Sequence, residues 1–192
     1  MTFEVLIGNE VKKIEDLAKA LGFDGVFFID QKKIILIKTE NKDELRKEIS
    51  RASSKGQKMV VLGATDEINR IAVSDKRVSI LLAPESTRTK DYMHYRSSGL
   101  NHVLCKLAIQ NGVAIGIGFD AIKSAKGKDR ADRIGRTMQN IDLCRKYKTP
   151  MILASFGKKP SDPYALRSFG LSLGMRTDQV KSALEQASKS LT

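Results

Sequence analysis

Few of the side chains that usually perform chemistry occur in this sequence. His94, His102, Cys105 and Cys144 are its only histidines and cysteines. A structural zinc site usually takes four such ligands in close pairs, and a catalytic zinc site at least three. Only His102 and Cys105 lie one helical turn apart, so the pattern predicts no metal site in this chain. With no G-x-S-x-G nucleophile elbow, nothing in the sequence resembles hydrolytic machinery.

Acidic residues are sparse where a parallel α/β active site would need them. Asp30, Asp66, Glu85 and Asp120 follow predicted strands, mostly without a histidine beside them. Cleaving a phosphodiester usually needs metal ions held by clustered carboxylates or histidines, and TIM-barrel active sites gather residues from several strand ends. We therefore expect no catalytic residues and no bound cofactor in this chain alone. A metal-dependent phosphoesterase or hydrolase on a TIM-like barrel stays open as the alternative.

One glycine-rich strand matches a nucleotide-binding motif. Gly116, Gly118 and Ala121 fit the G-x-G-x-x-A form of the dinucleotide fingerprint. That fingerprint also requires a helix that begins at the glycines. No helical pattern begins here before about residue 128, so we expect the glycines to make room inside the sheet instead.

Strand and helix patterns alternate along the chain with short connections, which predicts parallel strands joined by right-handed crossovers. Val26–Ile29 and Ile34–Ile37 are so close in sequence that we predict a hairpin. The other predicted strands are Phe3–Ile7, Lys58–Ala64, Val78–Ala83, Val113–Phe119 and Met151–Ser155. The total of about seven strands is near the number that a small barrel needs.

The stretches between the strands predict helices and two loops. Glu10–Leu21 is amphipathic, Asn41 or Lys42 begins a charged helix, and Thr65 begins a short one. Asp129–Lys148 is the longest helix, with Ala131, Ile134, Met138, Ile141 and Cys144 as its predicted buried stripe. Residues 85–98 have no periodicity and are predicted to form a loop with at most one helical turn. Residues 121–128 are predicted to form a polar loop.

The central αβ unit is Gly99–Phe119. Leu100, Val103, Leu104, Leu107 and Ala108 recur at the spacing of one helix face. Gly112 follows as a helix stop, because glycine best adopts the left-handed conformation that ends a helix. The next strand alternates bulky residues with alanine and glycine, which suits a sheet curled around a crowded interior. His102 and Lys106 lie one turn apart and off the apolar stripe.

Composition limits the class of protein. A chain of 192 residues, 41% of them hydrophobic, is long enough for a substantial core and fits one domain, residues 1–192. The longest apolar runs are strand-sized, and the chain begins on a strand without a signal-peptide pattern. Two cysteines within helical patterns suit a reduced thiol pair. We therefore expect a cytoplasmic protein that spans no membrane.

The charge indicates a polyanionic partner. Lys and Arg total 34 against 22 acidic residues, a net charge of +12, and residues 100–192 carry most of the excess. Nucleic acid is the first expected partner and an anionic membrane the second; a basic protein with no such partner is the alternative. The longest helix and the loop before it carry Lys126, Lys128, Arg130, Arg133, Arg136, Arg145, Lys146 and Lys148. Arg130, Arg133 and Arg136 run beside the apolar stripe, where they could line a groove that holds phosphates, or else form a solvated face.

Three segments carry a family resemblance. Gly99–Ala108 (GLNHVLCKLA), Asn111–Ile115 (NGVAI) and Leu143–Tyr147 (LCRKY), which precedes a strand ending at Ser155, resemble the family of the third protein component of archaeal ribonuclease P. This family is related to the thirty-kilodalton subunit of the eukaryotic enzyme. The likeness extends from about Val78 to Met175.

The resemblance implies a fold, a function and partners. It implies an irregular TIM-barrel-like α/β fold with fewer than eight regular βα units. It also implies an RNA-binding subunit of ribonuclease P, which supports RNA-catalysed removal of the 5′ leader from precursor tRNA. The implied partners are the ribonuclease P RNA, which carries the catalytic magnesium, a small ferredoxin-like subunit and the other protein subunits. A scaffold that contacts only proteins is a further alternative.

The expected RNA-binding residues come from the family resemblance and from the basic charge of the longest helix. The resemblance implies His102 and Lys106 in the central helix, Arg133 and Lys146 in the longest helix, and Arg167 near the C-terminus. It also implies Arg70 and Arg96, although the segments around these two residues match the family pattern less closely. The basic helix adds Arg130.

Overall fold

The computed structural model describes residues 1–8, 12–29, 33–87 and 89–192, and every strand in these ranges pairs in parallel. The strands are β1 (Phe3–Ile7), β2 (Gly25–Ile29), β3 (Ile34–Ile37), β4 (Lys58–Leu62), β5 (Val78–Leu82), β6 (Ala114–Gly118) and β7 (Met151–Ala154). The α-helices are α1 (Lys12–Ala20), α2 (Lys42–Ser54), α3 (Asp66–Ser74), α4 (His102–Asn111), α5 (Phe119–Ser124), α6 (Gly127–Tyr147), α7 (Pro163–Ser172) and α8 (Thr177–Leu191). A 3-10 turn covers Pro84–Ser86.

The strands follow one another in chain order around an incomplete barrel. One sheet has the order β3-β4-β5-β6-β7, and β1 pairs with β2 in a second, two-stranded sheet. β1 lies beside the end of β7, where the N–H of Phe156 donates to the carbonyl of Val5 at 2.9 Å. The buried carboxylate of Glu4 reinforces this junction by accepting from the N–H and the hydroxyl of Ser155 at 2.8 and 2.6 Å. The predicted TIM-barrel-like class is confirmed, although no ladder joins β2 to β3 in the described residues.

Alternating strand residues build two apolar layers. Ile115 and Ile117 of β6 join the outer cluster with the helices, whereas Ala114 joins an inner cluster with Ile80 and other strand residues. Gly116 also faces inward, since a Cβ atom there would lie 3.0 Å from Cγ2 of Ile80. The prediction that β6 has one bulky face and one bare face, with a glycine making room inside the sheet, is therefore confirmed.

Several predicted boundaries need correction. The hairpin of β2 and β3 is wrong, because each strand instead pairs in parallel with a partner reached through a helix; residues 30–32 of their connection lie outside the described residues. Glu10, the predicted start of α1, lies outside them too. The predicted polar loop after β6 contains α5, so a helix does follow the glycines. Its six residues bury only Ile122, which is too little to give a periodic pattern.

The predicted helix of the central unit is α4, and each end of it has a capping residue. The side chain of Asn101 caps α4 by accepting from the N–H groups of Val103 and Leu104 at 2.9 and 3.0 Å. Gly112 ends the helix with φ of 72°. Val103 departs from the predicted stripe and is 42% exposed. Among the described helices, none is long and apolar enough to cross a membrane.

Candidate nucleic-acid interface

A long loop between β5 and α4, which we call the 84–99 loop, shapes the surface near α4. Its two ends are held together by the buried side chain of Asn69, which donates to the carbonyls of Pro84 at 3.3 Å and Gly99 at 3.1 Å. Gly99 has φ of 74°, and a Cβ atom there would lie 2.0 Å from the carbonyl oxygen of Pro84. Only glycine fits this position without displacing the loop.

Arg136 fixes the middle of the 84–99 loop to α6. Its guanidinium donates to the carbonyls of Thr87 and Thr89, each at 2.7 Å, and to Oδ1 of Asp91 at 2.8 Å. The side chain is only 11% exposed. Arg136 still lines a groove, as one of the two sequence interpretations expected, but the loop covers most of its side chain and accepts its hydrogen bonds, because α6 turns a polar stripe toward the loop.

The next turn of α6 holds the last part of the loop. Gln139 accepts from the N–H of Arg96 at 3.2 Å and donates to its carbonyl at 2.9 Å. Asn140 donates to the carbonyl of Ser98 at 2.9 Å. Of the predicted apolar stripe of α6, Ile141 and Cys144 are buried, but Met138 is 41% exposed, and the polar residues Thr137 and Asn140 are buried instead.

A groove of about 650 Å³ separates the 84–99 loop from α3, α4 and the end of α6. We call it the α3–α4 groove. Arg70 of α3, Arg96 of the loop and His102 of α4 line it, together with Tyr147 of α6. Three residues predicted from different parts of the sequence thus come together on one surface.

Two further predicted residues flank the α3–α4 groove. Lys106 is exposed one turn beyond His102, and the ammonium of Lys146 lies 5.7 Å from the ring centroid of Tyr147. The imidazole of His102 lies 6.4 Å from the same ring. His102 is exposed, as predicted, rather than packed in the core.

Two carboxylates lie in or beside the groove, and the carboxylate of Asp91 is paired with Arg96 and Arg136. Burial acts to raise the pKa of Asp91, but hydrogen bonds from the N–H of Ser97 and from Arg136, with the charges of Arg136 and Arg96, outweigh it and hold this pKa below its usual range. Asp66 also lines the groove.

The remaining predicted residues lie away from the α3–α4 groove. Arg133 pairs with Asp129 at 3.0 Å and lines two other grooves at the strand ends. The guanidinium of Arg130 donates to the carbonyls of Ala125, at 2.7 Å, and Lys123, which fixes the turn between α5 and α6. Arg167 is exposed on α7 and does not line the groove.

The acidic residues at the strand ends do not gather into a site in the described part of the chain. No group of three His, Cys, Asp or Glu side chains that could hold a metal ion occurs there, and Asp30 lies outside it. Glu85 is 2% exposed, and burial raises its pKa to about 7, although its own N–H and the charges of Arg133 and Arg136 oppose the shift. Cys105 and Cys144 are buried free thiols.

Tyr92 and Tyr95 of the 84–99 loop are candidate binding residues that no sequence pattern indicated. Their rings are stacked, with centroids 4.6 Å apart and planes 21° apart, and both line the α3–α4 groove. No periodic pattern marks a loop residue, so the only available signal was two tyrosines within a basic, polar segment.

Comparison with known proteins gives consistent matches. The family described as RNase P subunit p30 matches residues 32–192. The chain is 28% identical over 205 residues to Ribonuclease P protein component 3 of Methanosarcina mazei, which covers 95% of this chain and 82% of the relative. It is 30% identical over 164 residues to the protein of the same name from Methanocaldococcus jannaschii, which covers 84% of this chain and 64% of the relative.

A solved structure extends the likeness to three dimensions. The chain superimposes on a chain from a cryo-EM structure of archaeal Ribonuclease P with mature tRNA. The TM-score is 0.68 at 25% sequence identity, and the match covers 97% of this chain and 78% of the other.

Proposed function

This chain belongs to the RNase P subunit p30 family, and on that premise we propose that it is an RNA-binding protein subunit of ribonuclease P. In this role it supports the RNA-catalysed removal of the 5′ leader from precursor tRNA. The observation that carries the proposal is the match to a chain of archaeal ribonuclease P over nearly the whole length of this one. The endonuclease activity belongs to the assembled enzyme.

The partners follow from the same premise. They are the ribonuclease P RNA, precursor tRNA, and the other protein subunits, among them a small ferredoxin-like one. The net charge of +12 supports a polyanionic partner. In this proposal the RNA, not this chain, holds the catalytic magnesium, and the protein acts in the cytoplasm.

The α3–α4 groove is the proposed RNA-binding site. Arg70, Arg96 and His102 line it, and Lys106 and Lys146 extend the basic surface along α4 and α6. Such side chains hold phosphates and fix the orientation of an RNA without reading its sequence. Arg130, Arg133 and Arg167 would contact RNA at separate places.

Reconstitution tests the proposal. Precursor tRNA with a labelled 5′ leader is incubated with the cognate RNA and the other subunits, with and without this chain, over a range of magnesium concentrations. We expect this chain to lower the magnesium needed for a mature 5′ end, because its cations offset repulsion between RNA phosphates. An unchanged magnesium requirement would contradict the proposal. Specific cleavage by the isolated protein, abolished by changing Asp66 or Asp120, would support the phosphoesterase alternative.

A further inference from the structure

The two rings of the tyrosine pair in the 84–99 loop are stacked on each other, yet both residues are more than half exposed. Tyr92 is 58% exposed and Tyr95 59%, and Met93 between them is 93% exposed. A pair that served only to stabilise the loop would gain more from burying its rings against α6. Exposed aromatic surface gathered in one place is typical of a binding site.

The backbone that carries the pair is fixed in place. The N–H of Tyr92 donates to the carbonyl of Tyr95 at 2.9 Å, which closes the turn between them. The guanidinium of the following residue, Arg96, lies flat against Gly135 of α6, where a Cβ atom would come within 2.5 Å of its Cζ atom. With Arg136 and Gln139 holding the rest of the loop, the rings are positioned in advance, so a ligand loses little binding energy in ordering them.

The pair lies between two grooves. On one side is the α3–α4 groove, where Asp66 is the one acidic side chain of the lining and where Arg70 and His102 form no ion pair among the described residues. On the other side is a groove lined by Met138 and by Asp142, which is paired with Arg145. Cations are therefore available on the α3–α4 side, next to the exposed rings.

We infer that Tyr92 and Tyr95 form a stacking platform for an unpaired base of RNA, whose neighbouring phosphates lie against Arg70 and His102. This inference rests on the RNA-binding function proposed above and names the kind of RNA that the groove takes. Bases within a duplex are already stacked on one another, so the platform selects a single-stranded or bulged nucleotide. The adjacent cations favour RNA over an apolar surface of a protein partner.

Binding to model RNAs tests the platform. The probes are a single-stranded oligoadenylate of about 12 nucleotides and a duplex of the same length. Replacing both residues, Tyr92→Leu with Tyr95→Leu, keeps apolar bulk but removes the rings. We expect the double variant to lose about 5- to 150-fold in affinity for the single strand, since base–aromatic stacking has that range of effect. Affinity for the duplex should not change.

Two further readouts separate stacking from a general loss of binding. The slope of log K against log salt should stay the same, because no phosphate contact is lost. The chain has four tyrosines and no tryptophan, and two of the four are those of the pair, so tyrosine fluorescence reports in large part on these rings. The single strand should quench this fluorescence in the wild type and in the control Tyr164→Leu, which removes an exposed ring on α7. Most of this quenching should be lost in the double leucine variant, whereas Tyr92→Phe with Tyr95→Phe should keep the affinity for the single strand, since the rings remain.

The outcomes distinguish this inference from the proposed function. If the wild type binds the single strand with salt-dependent affinity and the double variant binds it equally well, the platform is wrong and the proposed function stands. Unchanged RNA affinity with lost binding to the other subunits would make the pair a protein contact and also overturn the inference. If the wild type binds neither RNA, the proposed function and the platform both fail. Should the double variant melt early, Tyr92→Leu alone carries the same test.

Discussion

Glu85 lies buried at the end of β5, and its titration should control the stability of the protein near neutral pH. The side chain is 2% exposed, and burial raises its pKa to about 7. In the unfolded chain the ordinary value of 4.5 applies. Between these two values the folded protein keeps a proton that the unfolded chain has released. Stability from this group is therefore fully present below about pH 4.5 and is lost as the pH rises through about 7.

The size of the effect follows from the two pKa values. Their difference corresponds to about 3 kcal/mol in the free energy of unfolding. Glu85→Gln removes the titration while keeping the size and shape of the side chain. We expect the free energy of unfolding of the variant to rise by about 3 kcal/mol relative to that of the wild type from pH 4.5 to pH 8. Any direct effect of the amide on stability would be the same at every pH and would not change this rise. For a chain of this length that is about 6–12 °C in melting temperature.

Urea denaturation of the wild type and Glu85→Gln across this pH range measures the effect. Burial also raises the pKa of Glu4, but that contribution is common to both proteins and cancels in the difference. Glu67→Gln, on the exposed surface of α3, serves as the matched control and should track the wild type. A difference between Glu85→Gln and the wild type that is constant with pH would refute the reasoning.

Four other substitutions test the loop and the groove. Gly99→Ala should lower the melting temperature by about 5–10 °C, because its φ of 74° and the nearby carbonyl of Pro84 leave no room for a Cβ atom. Arg136→Met should lower the free energy of unfolding in urea by about 3 kcal/mol, since it leaves loop carbonyls and a carboxylate without their donor. His102→Ala should reduce cleavage by the reconstituted enzyme while shifting the melting temperature by less than about 2 °C; a larger shift would indicate a packed imidazole. Arg70→Gln should flatten the slope of log K against log salt by about one, and an unchanged slope would place Arg70 away from RNA.

The regular elements could be predicted because their signals are local. Asn41 and Thr65 cap α2 and α3, as side chains with an oxygen near the first turn are expected to do. The same local chemistry is present at α7, where Asp162 accepts from the N–H of Tyr164 at 2.7 Å and Pro163 is the first helical residue. The alternation in β6 indicated which face turns inward, because side-chain direction in a strand has a period of two.

The failures come from contacts between distant parts of the chain. The predicted hairpin assumed that β2 and β3 pair with each other because they are close in sequence, but β2 pairs with β1 and β3 pairs with β4. Arg136 has the same spacing as its exposed neighbours on α6, and only its bonds to loop residues 45–49 positions earlier make it buried. No local pattern distinguishes an arginine that a loop will cover from one that faces solvent.

The same contacts explain why charge alone is a poor guide to the interface. Arg130 and Arg136 direct their guanidinium groups at backbone carbonyls, so both are held in place by the fold. Arg70 and His102 have no ion pair among the described residues, and both lie where the loop leaves an open groove. Arg136 thus determines where the 84–99 loop stands, and the loop determines which cations remain accessible to a polyanion. For the proposed RNA-binding function, the net positive charge favours a polyanionic partner, and the buried polar contacts of α6 determine which cations such a partner could reach.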